Sequence, residues 1–362
     1  MVVDKRLSRK IRVLSFIAAI AVVLIHSNTN GANASDWNAF VQTLLSKGIT
    51  GWAVPFFFLV SGFWFGRSTN DIGIREFIDM GYGNMLRKKF KSLFLPYVLW
   101  CVLGAIIQLP ILCFANHVAK REVFQSTVLE GNGVWAFIDR LWGICRSAPV
   151  GNFPLWFLRA LIIIFIAAPI WIALRTYVPR MLLLLLGIAM IACDLDVPYL
   201  HISLAAIGWF LTGFTLAGLK VADTKLTSRP FLLLSGLLYL ALATFESLCA
   251  AGWIDAGFWR VALKRNIPFA GIPFWWVLYD VLLDKTSSAP TFFNDTFWIY
   301  CIHQMFVGYI IGAGFYILGK GDVVSLVLMA GSVIISAILS LLSAQAIRKY
   351  FPKAYRFLSG GR

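Results

Sequence analysis

KIRVLSFIAAIAVVLIHSN, Lys10 to Asn28, decides how the rest of the chain is read. From Val13 to Ile25 every residue except Ser15 is apolar, and Lys5, Arg6, Arg9, Lys10 and Arg12 lie just before or at its start. An apolar run behind positive charge also describes a secretory signal. Here no small-x-small cleavage site follows; His26, Ser27 and Asn28 do. The stretch therefore reads as a retained first transmembrane helix whose positive flank stays in the cytoplasm. His26 falls near its far end. Charged groups at membrane depth cost roughly 2.5–3.5 kcal/mol on insertion scales and point to function. Histidine is cheaper because it can be neutral, so a plain interfacial histidine is the competing reading.

Composition extends this reading to the whole chain. Of 362 residues, 59% are hydrophobic and 14% charged, and the mean hydropathy is +0.78. Soluble domains average about 25% charged residues, so an all-α polytopic membrane protein is expected. Fourteen Trp and thirty Phe suit lipid-facing and interfacial surfaces. The net charge of +15 would suggest nucleic acid in a soluble protein. Most basic residues fall in short loops between apolar runs, so they are assigned to orientation, and no nucleic-acid partner is expected. The six cysteines form no CxxC pair, and the four histidines (His26, His117, His201, His303) show no HxxxH spacing. Neither a disulfide framework nor a metal site is expected.

Ten spans are expected. After the first helix comes a short loop, 29–38, without basic residues, and then a run to about Gly66 containing VPFFFLVSGFWFG. A basic loop with Arg67, Arg75, Arg87, Lys88, Lys89 and Lys91 leads to a third helix from Ser92 to Phe114. The polar stretch from Ala115 to Phe153 has room for an interfacial helix over Val134 to Ile144. Further spans are expected over Pro154–Trp171, Met181–Cys193, Tyr199–Leu219, Pro230–Ala251, Ile267–Leu283, Thr291–Leu318 and Val323–Ile347. The fifth is short for the roughly 20 residues a span needs. With ten spans, 22 basic residues fall on one side and nine on the other, with Arg159 inside a helix. That bias puts both termini in the cytoplasm. A single domain, 1–362, with no additional soluble domain is expected.

Four polar positions interrupt the apolar runs: His26, Arg159, Glu246 and the Tyr300-His303-Gln304 group. Arg159 either snorkels to the interface or holds an anion in an internal cavity. Glu246 is a candidate for pairing with a basic residue. Tyr300 and Gln304 stand one helical turn apart, with His303 on the same face, which suits either a cavity lining or an inter-helix hydrogen bond. Ser15 and His26 are eleven residues apart, three turns plus about 20°, and share a face with Arg12. That stripe suits a channel taking a polyanionic donor from the cytoplasm, or simply a packed face. No P-loop, GxSxG elbow or dinucleotide fingerprint occurs.

Taken in order, several of these segments resemble the acyltransferase-3 family of bacterial integral membrane O-acyltransferases. They are AVVLIHS at the end of the first helix, VPFFFLVSGF at Val54 to Phe63, and LPY at Leu95 to Tyr97. PLWFLRALI at Pro154 to Ile162, WFLTGF at Trp209 to Phe214 and FWIYCIHQ at Phe297 to Gln304 follow. The resemblance implies ten core helices in a bacterial inner membrane. It also implies transfer of an acyl group, usually acetyl from acetyl-CoA, to a hydroxyl of a cell-surface glycan or its lipid-linked precursor. No permanently bound cofactor is implied. His26 matches the family's essential histidine, as general base or acyl relay, and Arg159 falls in the LWFLR match. Arg12, Ser15, Ser61, Arg159, Tyr300 and His303 are the candidates for binding donor or acceptor. One position departs from the pattern: where the family commonly has arginine eleven residues before the histidine, this chain has Ser15, and Arg12 is the candidate substitute. The competing function is a carrier or flippase for a glycan or lipid-linked sugar, in which the same polar residues line a path and break no bonds.

Overall fold

The structure is a computed structural model describing residues 5–29, 35–117, 133–146, 148–193, 195–219, 224–284 and 289–361. Residues 30–34 of the first expected loop, 118–132 of the long polar stretch, Lys220 and Lys285 lie outside the described residues.

Helix α1 is Lys5–His26. Ser35 caps α2, Asp36–Thr43, by accepting from the Asn38 N–H at 3.3 Å. A π-helical turn, Leu44–Gly48, then leads to α3, Ala53–Ser68. The basic stretch expected to be a loop is itself helical. It comprises α4, Ile74–Glu76, α5, Tyr82–Lys89, and a π turn, Phe90–Phe94, that runs into α6, Leu95–His117. The expected interfacial helix forms as α7, Val134–Trp142, and stops at Gly143 in a left-handed conformation (φ 57°), which glycine adopts without steric cost.

The span expected over 154–171 is broken. It forms α8, Trp156–Ile166, and α9, Ala168–Tyr177, bent by 55°. Pro169 has no N–H to donate, and its ring clashes with the carbonyl four residues back, so the helix restarts with proline in its first turn. Helix α10, Arg180–Ala192, follows. The next span starts later than expected. Residues 196–203 form an antiparallel hairpin, β1 (Asp196–Val197) against β2 (Ile202–Ser203). Tyr199 and His201 sit at positive φ (62° and 49°) in its turn. Ser203 then caps α11, Leu204–Leu216, accepting from Ala205 N–H at 3.1 Å.

After α12, Arg229–Ala250, helix α13 spans Gly257–Leu278 and so begins ten residues before the expected Ile267. The basic cluster at 260–265 is helical because it has partners. Arg260 reaches the buried Glu246 of α12 at 3.3 Å and Lys264 lies 3.9 Å from it, while Arg265 donates to the Ala192 carbonyl at 2.6 Å. A π turn, Tyr279–Leu283, ends this segment. Helices α14 (Thr296–Leu318), α15 (Asp322–Tyr350) and α16 (Pro352–Leu358) complete the chain.

Six helical segments are long and apolar enough to cross a membrane, or seven if the bent α8–α9 pair is one span. The difference from the expected ten lies in three elements. Helices α10 and α11 have only 13 residues each, and α1 has a basic first half.

Two contacts place the elements that matter for function. Helices α3 and α11 cross at near-backbone distance. A Cβ on Gly62 would stand 1.9 Å from the Phe210 carbonyl oxygen, and one on Gly213 would stand 1.9 Å from that of Leu59. The glycines of the SGF and TGF motifs are thus required by packing, since small residues let membrane helices approach closely. Helices α1 and α14 run parallel. Phe16 stacks on Phe293 with ring centroids 4.3 Å apart, and His26, ten residues on, lies beside His303 at 5.3 Å.

The basic start of α1 is tied down by carboxylates. Lys10, 1% exposed, donates to Asp280 at 2.7 Å and lies 3.8 Å from the Trp276 ring centre. Arg6 also reaches Asp280, and Arg9 and Lys225 both reach Asp284. Those two ammonium and guanidinium groups, Lys225 foremost, hold the Asp284 carboxyl below the ordinary aspartate range.

Candidate functional site

His26 is the last residue of α1 and is half-buried. The Phe153 ring lies across it at 74°, with centroids 6.3 Å apart, and the His303 ring of α14 lies 5.3 Å away, centroid to centroid, at 46°. His303 is fully buried. Its Nδ1 stands 3.0 Å from the Ile299 carbonyl and 2.8 Å from that of Tyr300. Both are acceptors, so Nδ1 carries the proton and Nε2 is left as a lone-pair acceptor. That Nε2 is buried and has no hydrogen-bond partner among the described residues. Buried polar atoms are seldom left unpaired, which makes this Nε2 a candidate acceptor.

The motif segments converge beneath the pair. Tyr300 donates to the Pro154 carbonyl, and Asn152 donates to that of Cys301 at 2.9 Å. Phe157 packs edge-on against Tyr300 at 5.6 Å and against Phe58 at 4.6 Å. The PLWFLR, FFFLVSGF and FWIYCIH stretches, far apart in the chain, thus form one aromatic floor.

A cavity of about 1050 Å³ opens on the other side of that floor. Arg12 and Ser15 of α1, Ser61 of α3 and Tyr300 of α14 line it, together with Phe57 and Phe157. Its cations are Arg12, Lys88, Lys89 and Arg348. Arg348 is engaged by Asp295 and Tyr355, whereas Arg12 and Lys88 make no ion pair among the described residues. Tyr300, at the inner end, precedes His303 by three residues, about 4.5 Å of helix rise. The cavity therefore runs from the basic end of α1 to within one helical turn of His303.

Of the residues singled out in the sequence, the structure brings Arg12, Ser15, Ser61 and Tyr300 to the cavity, and His26 and His303 to each other. Arg159 lies outside the cavity lining. It is 8% exposed, and its guanidinium donates to the Leu200 carbonyl at 2.8 Å and the Ile144 carbonyl at 3.1 Å. It thereby ties the β1–β2 turn to the segment after α7. Glu246 belongs to the α12–α13 ion cluster. Lys88 and Lys89 read as loop charges in the sequence; their signal was the run LRKKFKSLF, Leu86 to Phe94, in which four cations are flanked and interrupted by Leu86, Phe90, Leu93 and Phe94. Among the described residues no group of three His, Cys, Asp or Glu side chains comes together to hold a metal ion.

Several apolar helices long enough to cross a bilayer, packed around a cation-lined cavity, define a multi-pass membrane protein. The acyltransferase-3 family, described as an acyltransferase domain, matches residues 9–344, and the chain belongs to it. The protein is thus a membrane acyltransferase. Comparison with curated proteins and with solved structures returns no match.

Proposed function

We propose that the protein is an O-acetyltransferase that moves acetyl from acetyl-CoA, bound from the cytoplasmic side, to a hydroxyl of a cell-surface glycan or its lipid-linked precursor. One observation carries this reading: the cation-lined cavity reaches Tyr300, one helical turn from His303, whose ring lies 5.3 Å from that of His26. A polyphosphate donor matches Arg12, Lys88 and Lys89, and its thioester end matches the apolar inner wall of Phe57 and Phe157. Arg12 takes the place of the family arginine that Ser15 lacks, because both line the same cavity.

A sugar hydroxyl is a weak nucleophile near neutral pH. His26 removes its proton as the oxygen attacks the thioester carbonyl. The new C–O bond forms, the C–S bond breaks, and the departing CoA thiolate takes up the proton. General-base help of this kind contributes typically about 10²–10⁴-fold. His303, fixed with its proton on Nδ1, presents Nε2 to the N–H or O–H that enters beside His26. The alternative course is an acetyl-His26 relay, which would retain label from acetyl-CoA when no acceptor is present.

The test is transfer by purified protein in detergent, supplied with labelled acetyl-CoA and a glycan extract of the producing cells. Label in the glycan, weakened by Arg12→Gln and Lys88→Gln through a raised KM for acetyl-CoA, supports the reading. Neither transfer nor hydrolysis of acetyl-CoA would support a carrier instead.

A further inference from the structure

A second concavity, of about 520 Å³, lies outside the reaction cavity, where α5 and the π turn after it meet α8. Its wall is apolar and open to the surroundings: Phe90 is 53% exposed, Phe94 40% and Ile166 55%. Phe90 and Phe94, one turn apart, stack with centroids 5.1 Å apart and 22° between planes. The π turn Phe90–Phe94 sets this register; such local widening of a helix often marks functional sites. Arg87, Lys89 and Lys91 line the same groove, and no carboxylate does. Arg87 and Lys91 are exposed, stand one turn apart on the helix, and make no ion pair among the described residues. Lys89 lies 3.8 Å from the Phe165 ring centre and lines the reaction cavity as well.

We propose that this groove is a binding site for one anionic phospholipid. Its phosphate is held by Arg87 and Lys91, and an acyl chain lies along Phe90, Phe94 and Ile166. The argument is charge complementarity joined to shape. Two exposed cations, Arg87 and Lys91, stand above an exposed aromatic wall in a groove with no carboxylate in its lining, and a headgroup with an attached chain satisfies both. Free phosphate would use the cations and leave the apolar wall unexplained. Basic pockets between membrane helices are a recognised way of selecting anionic lipids. Because Lys89 and Phe165 line both concavities, an occupied lipid site also sets the charge beside the donor cavity.

Native mass spectrometry of the full chain in detergent, titrated with phosphatidylglycerol or phosphatidylcholine, tests the proposal. The wild type should retain one phosphatidylglycerol in preference to phosphatidylcholine, and 10 mM inorganic phosphate should not displace it. Arg87→Gln and Lys91→Gln should each weaken retention roughly fivefold, and the double variant about 25-fold. Phe90→Ala/Phe94→Ala should weaken retention of both lipids. All substituted side chains are exposed, so unfolding temperatures should stay at the wild-type value, which separates lost binding from lost folding. Equal retention of the two lipids, or a double variant that holds phosphatidylglycerol like the wild type, would overturn the site. Displacement by inorganic phosphate would show a simple anion site in place of a lipid site.

Discussion

Replacing Lys10 by Met should unseat the first helix far more than a charge near a chain end would suggest. Its Nζ lies 2.7 Å from Asp280, and the two side chains are 1% and 0% exposed. Removing one partner of a buried pair typically costs about 3–5 kcal/mol, because the other charge stays buried and uncompensated. Asp280 keeps two further contacts, the Leu226 N–H at 2.9 Å and Arg6 at 3.4 Å. The loss therefore belongs at the lower end, about 3 kcal/mol. An exposed ion pair would give about 0.2–1 kcal/mol, so the two descriptions are well separated. In Lys10→Met/Asp280→Asn both charges are gone while an acceptor remains for Leu226, and the loss should be smaller than the sum of the single losses. Reversible unfolding of purified protein in mixed detergent and SDS reads these differences. A loss below 1 kcal/mol for Lys10→Met, or strict additivity in the double variant, would refute the buried-pair argument.

Further outcomes follow from the same structure. Gly213→Ala sets a methyl group 1.9 Å from the Leu59 carbonyl oxygen; α3 and α11 must separate, at about 1–3 kcal/mol or more, seen as a lowered unfolding temperature. Arg159→Lys should retain one of the two carbonyl contacts at a time, since a point charge lacks the planar fork. Limited proteolysis should then cut more readily near 196–203, and transferase activity should fall. Asp284 has a depressed pKa in the folded protein. Its contribution is present above the unfolded aspartate value of about 3.9 and is lost as pH falls through the lower folded value. Unfolding temperatures measured from pH 6 downward should therefore drop less steeply in Asp284→Asn than in the wild type.

The apolar runs were legible because a bilayer leaves the backbone few options, so α1, α12, α14 and α15 lie within a few residues of their expected limits. The break at Ala167 had a signal in Pro169 that the strength of the surrounding apolar run masked. The start of α13 had no local signal. Arg260 and Lys264 look like loop charges until Glu246 of the preceding helix is seen to hold them. The site divides the same way. His26 stood out as an ionisable group at the end of an apolar helix. Its neighbour His303 is 277 residues away, and no periodicity connects the two. Lys10 was read as a topological flank for the same reason, since Asp280 lies on a helix far along the chain. Arg159 was legible as unusual, but its carbonyl partners come from the β1–β2 turn and the segment after α7, which no pattern within its own helix reveals.

We propose that His26 performs the transfer. The most direct measurement compares wild type and His26→Ala, purified to equal unfolding temperature, for movement of label from acetyl-CoA into the glycan fraction of the producing cells. The kcat of His26→Ala should fall by about 10²–10⁴-fold, with acetyl-CoA binding in the cavity unchanged. Transfer by His26→Ala at close to the wild-type rate would contradict it and leave His26 an interfacial bystander.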